Sequence, residues 1–378
     1  MLRKIFRSVW SRLTHPRSLK IMLGLLISGI VGLGAAAWFW QDTSLYLLQS
    51  VKGQLSLLSG ARPIAEMLAD PKVSTRQKQQ FRQVAEVKQF AETALGLKPT
   101  RNYEKYLDLK RDFLVMVLTA SPPLKMESKT WWFPVVGTVP YKGYYDLALA
   151  RKELKALEAE GFETHFRPSP AYSTLGWFQD PLLNTMLQYG EFYLISTVIH
   201  ESVHATLWIP GDVSFNENLA SFIGYHGALS YVARRYGRNS PQFHEAQAQQ
   251  SDQKIFATFI REVHDQLKAL YDSDAFSSNK YERKKLLINR LKTRYRQEIT
   301  PRFTGKGYRG FEQRTWNNAM IMAYQHYDQE QGLFEDLLQQ QGGDVARLMK
   351  WLSQQGPQGI QTLRQNWQQR LKKAVPAS

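Results

Sequence analysis

Two histidines and one glutamate lie within five consecutive residues of a mostly apolar stretch, and this spacing restricts the fold more than any other feature of the chain. His200, Glu201 and His204 form the pattern H-E-x-x-H, and residues 192–199 before it are largely apolar. In a helix, His200 and His204 lie one turn apart on the same face, with Glu201 at its edge. The sequence therefore predicts a helix that holds three chemically active side chains close together.

This pattern has the chemistry of a metal site. Two imidazoles one helical turn apart can chelate a single zinc ion. Glu201 lies beside His200 and can reach a water molecule at the metal, which makes it the expected general base of a hydrolytic site. Two buried histidines without a metal would need other polar partners. We therefore expect His200 and His204 to bind zinc.

A second helix is predicted to complete the site, because a catalytic zinc needs a third protein ligand and one open position. Pro210 and Gly211 break the first helix, and the pattern N-E-x-x-A at residues 216–220 follows. A helix that returns antiparallel brings Glu217 towards the histidines. The expected zinc ligands are His200, His204 and Glu217.

The composition describes a folded chain and excludes several kinds of site. The 378 residues include no cysteine, 43% are hydrophobic, and Lys and Arg outnumber Asp and Glu by 49 to 33. Without cysteine there is no disulfide scaffold, no thiolate metal site, no iron–sulfur cluster and no thiol nucleophile. Any metal must therefore be held by His, Asp or Glu.

The first 40 residues have the pattern of a membrane anchor. Residues 1–20 contain six basic and no acidic side chains, and residues 21–40 are uncharged over a length that lets a helix cross a bilayer. The alternative is a cleaved signal peptide, since residues 34–37 are rich in small side chains, but both parts are long for that role. The sequence predicts a cytoplasmic tail (1–20), a single transmembrane helix in the inner membrane (21–40), and an extracytoplasmic, periplasmic domain (43–378).

The rest of the chain is predicted to be α+β with an excess of helix. Residues 113–145 are rich in β-branched and aromatic side chains and predict two or three strands, and residues 162–166 predict one more. From about residue 180 the pattern is helical almost to the C-terminus. Before that point, helical apolar spacing occurs at residues 45–58, 74–97 and 147–160. We expect a βαβ unit or a small mixed sheet beside the zinc-binding helix pair.

The two helix patterns together resemble the zinc site of the gluzincin metallopeptidases, the thermolysin-like group. In that group the second zinc helix carries N-E-x-x-S/A, so the resemblance implies that Glu217 is a ligand. One position departs from the group's pattern: Ser221 stands where thermolysin-like enzymes have an Asp that orients a zinc histidine. The candidates for a partner of the zinc ligands are then Asn216, Asp212 and Ser221.

Four further segments resemble a bacterial family described as predicted aminopeptidases, whose members also have the H-E-x-x-H site. They are residues 46–58, 131–145, 176–186 and 315–327. Members of that family are often envelope lipoproteins with a cysteine just before the first segment, where this chain has its apolar segment. The resemblance implies a membrane-anchored zinc peptidase acting on peptide substrates, in particular an aminopeptidase. An endopeptidase of the same zinc class is an alternative.

Further residues are candidates for roles around a hydrolytic site. A hydrogen-bond donor to the oxyanion of the tetrahedral intermediate is expected. An aminopeptidase also needs a carboxylate for the free amine of its substrate, but the Gly-x-Met-x-Asn motif of some gluzincin aminopeptidases is absent from the sequence. The candidate oxyanion donors are Tyr141, Tyr144, Tyr145, Tyr225 and His226.

The alternative class of function is a noncatalytic zinc-binding scaffold of the cell envelope, which would keep the metal ligands but would not need Glu201 as a base. The basic segment at residues 280–296 could contact lipid headgroups or nucleic acid. No motif of a nucleic-acid-binding domain accompanies it, so no nucleic-acid partner is expected. The remaining histidines, at positions 15, 165, 244, 264 and 326, have no ligand spacing, and the sequence specifies no oligomeric state.

Overall fold

The computed structural model describes residues 41–133, 137–169, 179–273, 279–325 and 331–374 of the chain. The chain divides into two compact units, Met1–Gln54 and Leu55–Ser378. Of the first unit the structure describes residues 41–54, which form most of helix α1 (Gln41–Gly60). All elements after α1 belong to the second unit.

The transmembrane helix predicted at residues 21–40 is not supported. Among the residues that the structure describes, no helix is both long enough and apolar enough to cross a bilayer. Long helices such as Pro241–Asp272 carry charged side chains along their length. Residues 1–40 themselves lie outside the described part of the chain. For the described residues, the predicted fold class is therefore corrected to a helix-rich α+β fold in which no helix could cross a membrane, and the predicted single-pass inner-membrane localisation is not supported.

Helices make up most of the second unit. They are α2 (Ile64–Ala69), α3 (Thr75–Ala94), α4 (Leu147–Ala159), α5 (Glu191–Thr206), α6 (Val213–Tyr236), α7 (Pro241–Asp272), α8 (Lys280–Arg294), α9 (Asn318–Gln325), α10 (Gln331–Gln340) and α11 (Val345–Ala374). Apolar spacing gives α3 one buried face, with Phe81, Val84, Val87 and Phe90 inside. The helices predicted at residues 74–97 and 147–160 are confirmed as α3 and α4.

Short strands form three small sheets in the described residues. The strands are β1 (Arg62–Pro63), β2 (Lys105–Leu107), β3 (Val115–Ser121), β4 (Trp131–Phe133), β5 (Gly137–Val139), β6 (Lys142–Tyr144), β7 (Glu163–Ser169) and β8 (Leu182–Leu183). In one sheet β3 pairs antiparallel with both β6 and β7. In another, β2 pairs antiparallel with β1 and parallel with β8. The remaining sheet is the antiparallel pair of β4 and β5.

The strands differ from the prediction in number and length. The described residues between 113 and 145 contain four strands rather than two or three, because residues 131–139 supply the two separate, paired strands β4 and β5. Strand β7 extends past the predicted residues 162–166, since Ser169 still pairs with Val115. Pro168 is tolerated inside β7 because β7 is an edge strand of its sheet.

The buried apolar side chains form two clusters. The larger cluster joins α3, α5, α6, α10 and α11. The smaller one lies among α7, α8 and α9 and contains Phe256, Phe259, Leu291 and Met320. Because α5 and α6 belong to the larger cluster, the two helices predicted to bind zinc are held by the main core of the protein.

Candidate metal centre

Helix α5 carries the H-E-x-x-H pattern in its second half. The helix ends before Leu207, and the break at Pro210 and Gly211 follows as the sequence predicts. Its apolar side is buried in the larger core. An anchored helix therefore holds His200 and His204 one turn apart. The buried apolar residues of this helix are Leu194, Ile195, Val198, Ile199 and Val203.

The turn between α5 and α6 is held by two side chains of the second helix. The side-chain amide of Asn216 accepts a hydrogen bond from the N–H of Ile209 at 2.8 Å and donates one to the carbonyl of Ile209 at 2.8 Å. Asp212 caps α6 by accepting a hydrogen bond of 3.1 Å from its first turn. Arg364 of α11 forms an ion pair with Asp212. These contacts fix the start of the helix that carries Glu217.

Helices α5 and α6 approach each other closely at two glycines. A Cβ atom on Gly224 would lie 2.9 Å from the carbonyl oxygen of Ser196 and 3.2 Å from the Cβ of His200. A Cβ atom on Gly227 would lie 3.2 Å from the side chain of Ile199. Since a side chain at Gly224 has no room, the two helix backbones can pack directly opposite His200.

Three possible metal ligands meet where the two helices pack. The Nε2 atoms of His200 and His204 are 3.1 Å apart, and each lies 3.6 Å from one carboxylate oxygen of Glu217. All ligand atoms lie within 4.8 Å of one another. The His204 side chain is buried, whereas the His200 and Glu217 side chains are each 20% exposed. The cluster is therefore open to solvent on one side.

The protonation states of His204 and Glu217 suit metal binding. Burial and the neighbouring His200 lower the pKa of His204 to about 4, so its imidazole is neutral near pH 7. Burial raises the pKa of Glu217, but its hydrogen bond with His200 and the charges of the nearby histidines lower it by more. The net shift of the pKa is downward, so the carboxylate is ionised. Burial lowers the pKa of His200, but Glu217 and Glu201 reverse this and raise it. His200 would have to release a proton to a metal.

The chain matches one family model over most of its length. The model is described as "Putative aminopeptidase" and matches residues 45–365. The chain belongs to this family. The match confirms the resemblance to the predicted aminopeptidases and supports a peptidase, and the matched range contains His200, Glu201, His204 and Glu217. No curated protein and no solved structure matches the chain.

Glu201 lies beside the cluster, near a tyrosine that the sequence analysis did not identify. Glu201 is 7% exposed and Tyr103 is 6% exposed. The backbone of Tyr103 has a φ of 62°, and its N–H donates to the carbonyl of Asp180 at 2.7 Å. The side chain of Asn102 accepts a hydrogen bond of 3.0 Å from the N–H of Asp180. A bulky residue in the left-handed region is uncommon and often marks a functional position.

The phenol of Tyr103 is a neutral hydrogen-bond donor. Burial, and then the charges of Glu201 and Asp180, raise the pKa of Tyr103 well above its usual value. No local pattern signals this residue, because Tyr103 and Asp180 lie far from residue 200 in the sequence. Folding alone brings the phenol near Glu201.

Each of the five predicted oxyanion donors has other contacts in the structure. The Tyr144 hydroxyl donates to Glu153 at 2.7 Å, and His226 lies 3.5 Å from Glu335. Tyr225 packs edge-on against Phe192. Tyr141 and Tyr145 pack against the larger core. The structure therefore does not favour any of the five over Tyr103.

None of the three candidate partners of the zinc ligands bonds to either histidine in the part of the chain that the structure describes. Asn216 and Asp212 hold the turn instead. The Nδ1 atom of His204 is buried and has no hydrogen-bond partner among the described residues. Among the described residues, no carboxylate therefore orients His204 through its Nδ1 atom, unlike the usual carboxylate–histidine–zinc arrangement.

Proposed function

We propose that this protein is a zinc-dependent peptidase, in particular an aminopeptidase. In this proposal His200, His204 and Glu217 hold the zinc ion and Glu201 is the general base. The observation that carries the proposal is the convergence of these three ligands beside a buried glutamate, in a chain of the "Putative aminopeptidase" family. The gluzincin-like role of Glu217 is part of the proposal.

The donor set fits zinc in chemistry and in size. Zinc prefers imidazole nitrogen and carboxylate oxygen at about 2.0–2.2 Å in tetrahedral geometry, which separates two ligand atoms by about 3.3–3.6 Å. The observed separations are 3.1, 3.6 and 3.6 Å. The cluster is also open on one side, which leaves room for the fourth position that a catalytic site needs.

The chain's own residues account for proton transfer and for charge stabilisation. When bound, zinc would supply a Lewis acid and lower the pKa of water. Glu201 accepts a proton from the attacking water and delivers it to the nitrogen of the leaving amine. Tyr103 holds a neutral hydroxyl beside Glu201 and can donate a hydrogen bond to the carbonyl oxygen as negative charge develops there.

The type of peptidase is tested with paired peptides. The zinc-loaded full-length protein is given peptides with a free N-terminal amine and the same peptides with an acetylated N-terminus. An aminopeptidase cleaves only the free-amine set. Equal cleavage of both sets would identify an endopeptidase instead.

The ligand assignment is tested with a matched pair of variants. Glu217→Ala is expected to lower zinc occupancy sharply and abolish peptide hydrolysis. Glu245→Ala changes an exposed glutamate on α7 and serves as the control. Full zinc occupancy in Glu217→Ala would remove Glu217 from the site. A zinc-loaded wild-type protein that cleaves no peptide would favour a noncatalytic zinc-binding scaffold.

A further inference from the structure

A line of side chains runs from the metal cluster towards the start of α5. Tyr193, Thr197 and Glu201 are spaced by four residues, so they lie on one face of the helix. The neighbouring residues Leu194 and Val198 are buried in the core. The face that carries Glu201 therefore continues along the helix to Tyr193.

Two tyrosines lie at the far end of this face. Tyr189 precedes α5 and Tyr193 belongs to its first turn, and their ring centroids are 5.0 Å apart. Tyr189 is 51% exposed and Tyr193 is 36% exposed. Exposed aromatic rings that lie together often mark a binding surface. We call Tyr189 and Tyr193 the tyrosine pair.

Tyr193 and the metal cluster have charged neighbours in common. Burial raises the pKa of Tyr193, a hydrogen bond with Thr197 lowers it, and the charges of Glu201 and Arg167 also act on it. Arg167 of β7 acts on Glu217 as well.

The distance along α5 between Glu201 and Tyr193 sets the length of a peptide that would reach from the metal site to the tyrosine pair. Tyr193 and Glu201 are eight residues apart on α5, which is about 12 Å along the axis. An extended peptide covers about 3.3–3.6 Å per residue, so about three to four residues bridge this distance. A peptide bound at Glu201 that follows α5 in extended form therefore meets the tyrosine pair.

We infer that the tyrosine pair is a substrate subsite, which binds an aromatic or large apolar side chain about three to four residues from the scissile bond. This inference rests on the proposed function and specifies its substrates. The preferred substrates are extended peptides with an aromatic residue at that distance. Shorter peptides do not reach the subsite.

The test uses short peptides of alanine and serine that differ only in the position of one phenylalanine. The wild-type protein is expected to prefer phenylalanine at the predicted distance by up to about tenfold in kcat/KM, through a lower KM. Tyr193→Ala should abolish this preference, and Tyr193→Phe should retain it because it keeps the ring. Tyr281→Ala, at an exposed tyrosine on α8, is the control and should change nothing.

The outcomes separate this inference from the proposed function. Cleavage without a positional preference, or a preference unchanged in Tyr193→Ala, would overturn the subsite while the peptidase stands. An altered oligomeric state in Tyr193→Ala with unchanged preference would likewise overturn it and assign the pair to self-association. If the wild type cleaves nothing, the deciding measurement is peptide binding to the zinc-loaded Glu201→Gln protein. Binding that depends on the phenylalanine and is lost when Tyr193→Ala is added supports the subsite. Binding that does not depend on the phenylalanine overturns the subsite.

Discussion

Gly224 of α6 lies so close to His200 of α5 that a Cβ atom on the glycine would be 3.2 Å from the Cβ of the histidine and 2.9 Å from the carbonyl oxygen of Ser196. The carbonyl belongs to the backbone of a helix and cannot move aside as a flexible side chain could. The close contact between the two helices therefore depends on this glycine. It also sets the distance between His200 and the ligand on the other helix, Glu217.

Gly224→Ala is expected to weaken both the fold and the metal site. Separating the helices to admit a methyl group should cost about 1–3 kcal/mol of unfolding free energy. Zinc affinity should fall about tenfold or more, because His200 moves relative to Glu217. Chemical denaturation and competition with a zinc chelator measure the two effects. Gly307→Ala is the control, since a Cβ atom there would meet no atom within 4 Å. Equal zinc affinity in the two variants would show that Gly224 does not set the geometry of the metal site.

Asn216 is predicted to act on the metal site through the backbone. Asn216→Ala leaves the N–H and carbonyl of Ile209 without their side-chain partner, and Ile209 is buried. The expected cost is about 1–3 kcal/mol of unfolding free energy. Zinc affinity should also fall, because Glu217 follows directly in the chain. Asn239→Ala, at an exposed loop position, is the control. If Asn216→Ala loses stability without any loss of zinc affinity, Asn216 has a structural role only.

Tyr103→Phe should reduce turnover while leaving the fold intact. The variant keeps the buried ring and removes only the hydroxyl near Glu201. We expect kcat to fall about tenfold to hundredfold with little change in KM, as for the loss of a donor that acts in the transition state. Steady-state kinetics of zinc-loaded protein measure this, beside Tyr281→Phe as a control. Unchanged kcat would remove Tyr103 from the reaction.

His165 should make the metal-free protein sensitive to acid. Burial, and then the charges of Arg167 and Arg314, lower the pKa of His165 from 6.5 to about 4. The unfolded chain therefore binds the proton more readily, and stability present above pH 6.5 is lost as the pH falls towards 4. Between about pH 7 and about pH 5, the unfolding free energy of His165→Phe should fall by about 2 kcal/mol less than that of the wild type.

Urea unfolding of the metal-free proteins at the two pH values measures this difference. Both proteins must be metal-free, because His204 also has a lowered pKa and would bind metal. His244→Phe, at an exposed histidine of α7, should lose as much stability as the wild type. An equal loss in His165→Phe and wild type would show that His165 does not set the acid sensitivity.

The sequence predicted best what depends on local spacing. The H-E-x-x-H and N-E-x-x-A patterns lie on the two helices as expected, and the structure brings His200, His204 and Glu217 together. Their roles as zinc ligands stay predictions. Helical periodicity and the break at Pro210 and Gly211 were sufficient for this, because each operates over a few residues.

The sequence was less informative where the contacts are long-range. The charge of Glu201 acts on Tyr103, which lies in a left-handed turn tied to Asp180, and no periodicity encodes this relationship. Asn216 was a candidate partner of a zinc ligand, but its amide matches the two backbone groups of Ile209 instead. The transmembrane prediction rested on the apolar segment and the basic residues before it, and no helix among the described residues supports it.

The most direct test of the central claim is the turnover of peptides by Glu201→Gln protein that holds as much zinc as the wild type. Gln keeps the size of the side chain but cannot accept a proton from water. We expect equal zinc binding in the two proteins and loss of nearly all hydrolysis in Glu201→Gln. Hydrolysis at the wild-type rate in the zinc-loaded variant would contradict Glu201 as the general base and, with it, the proposed mechanism.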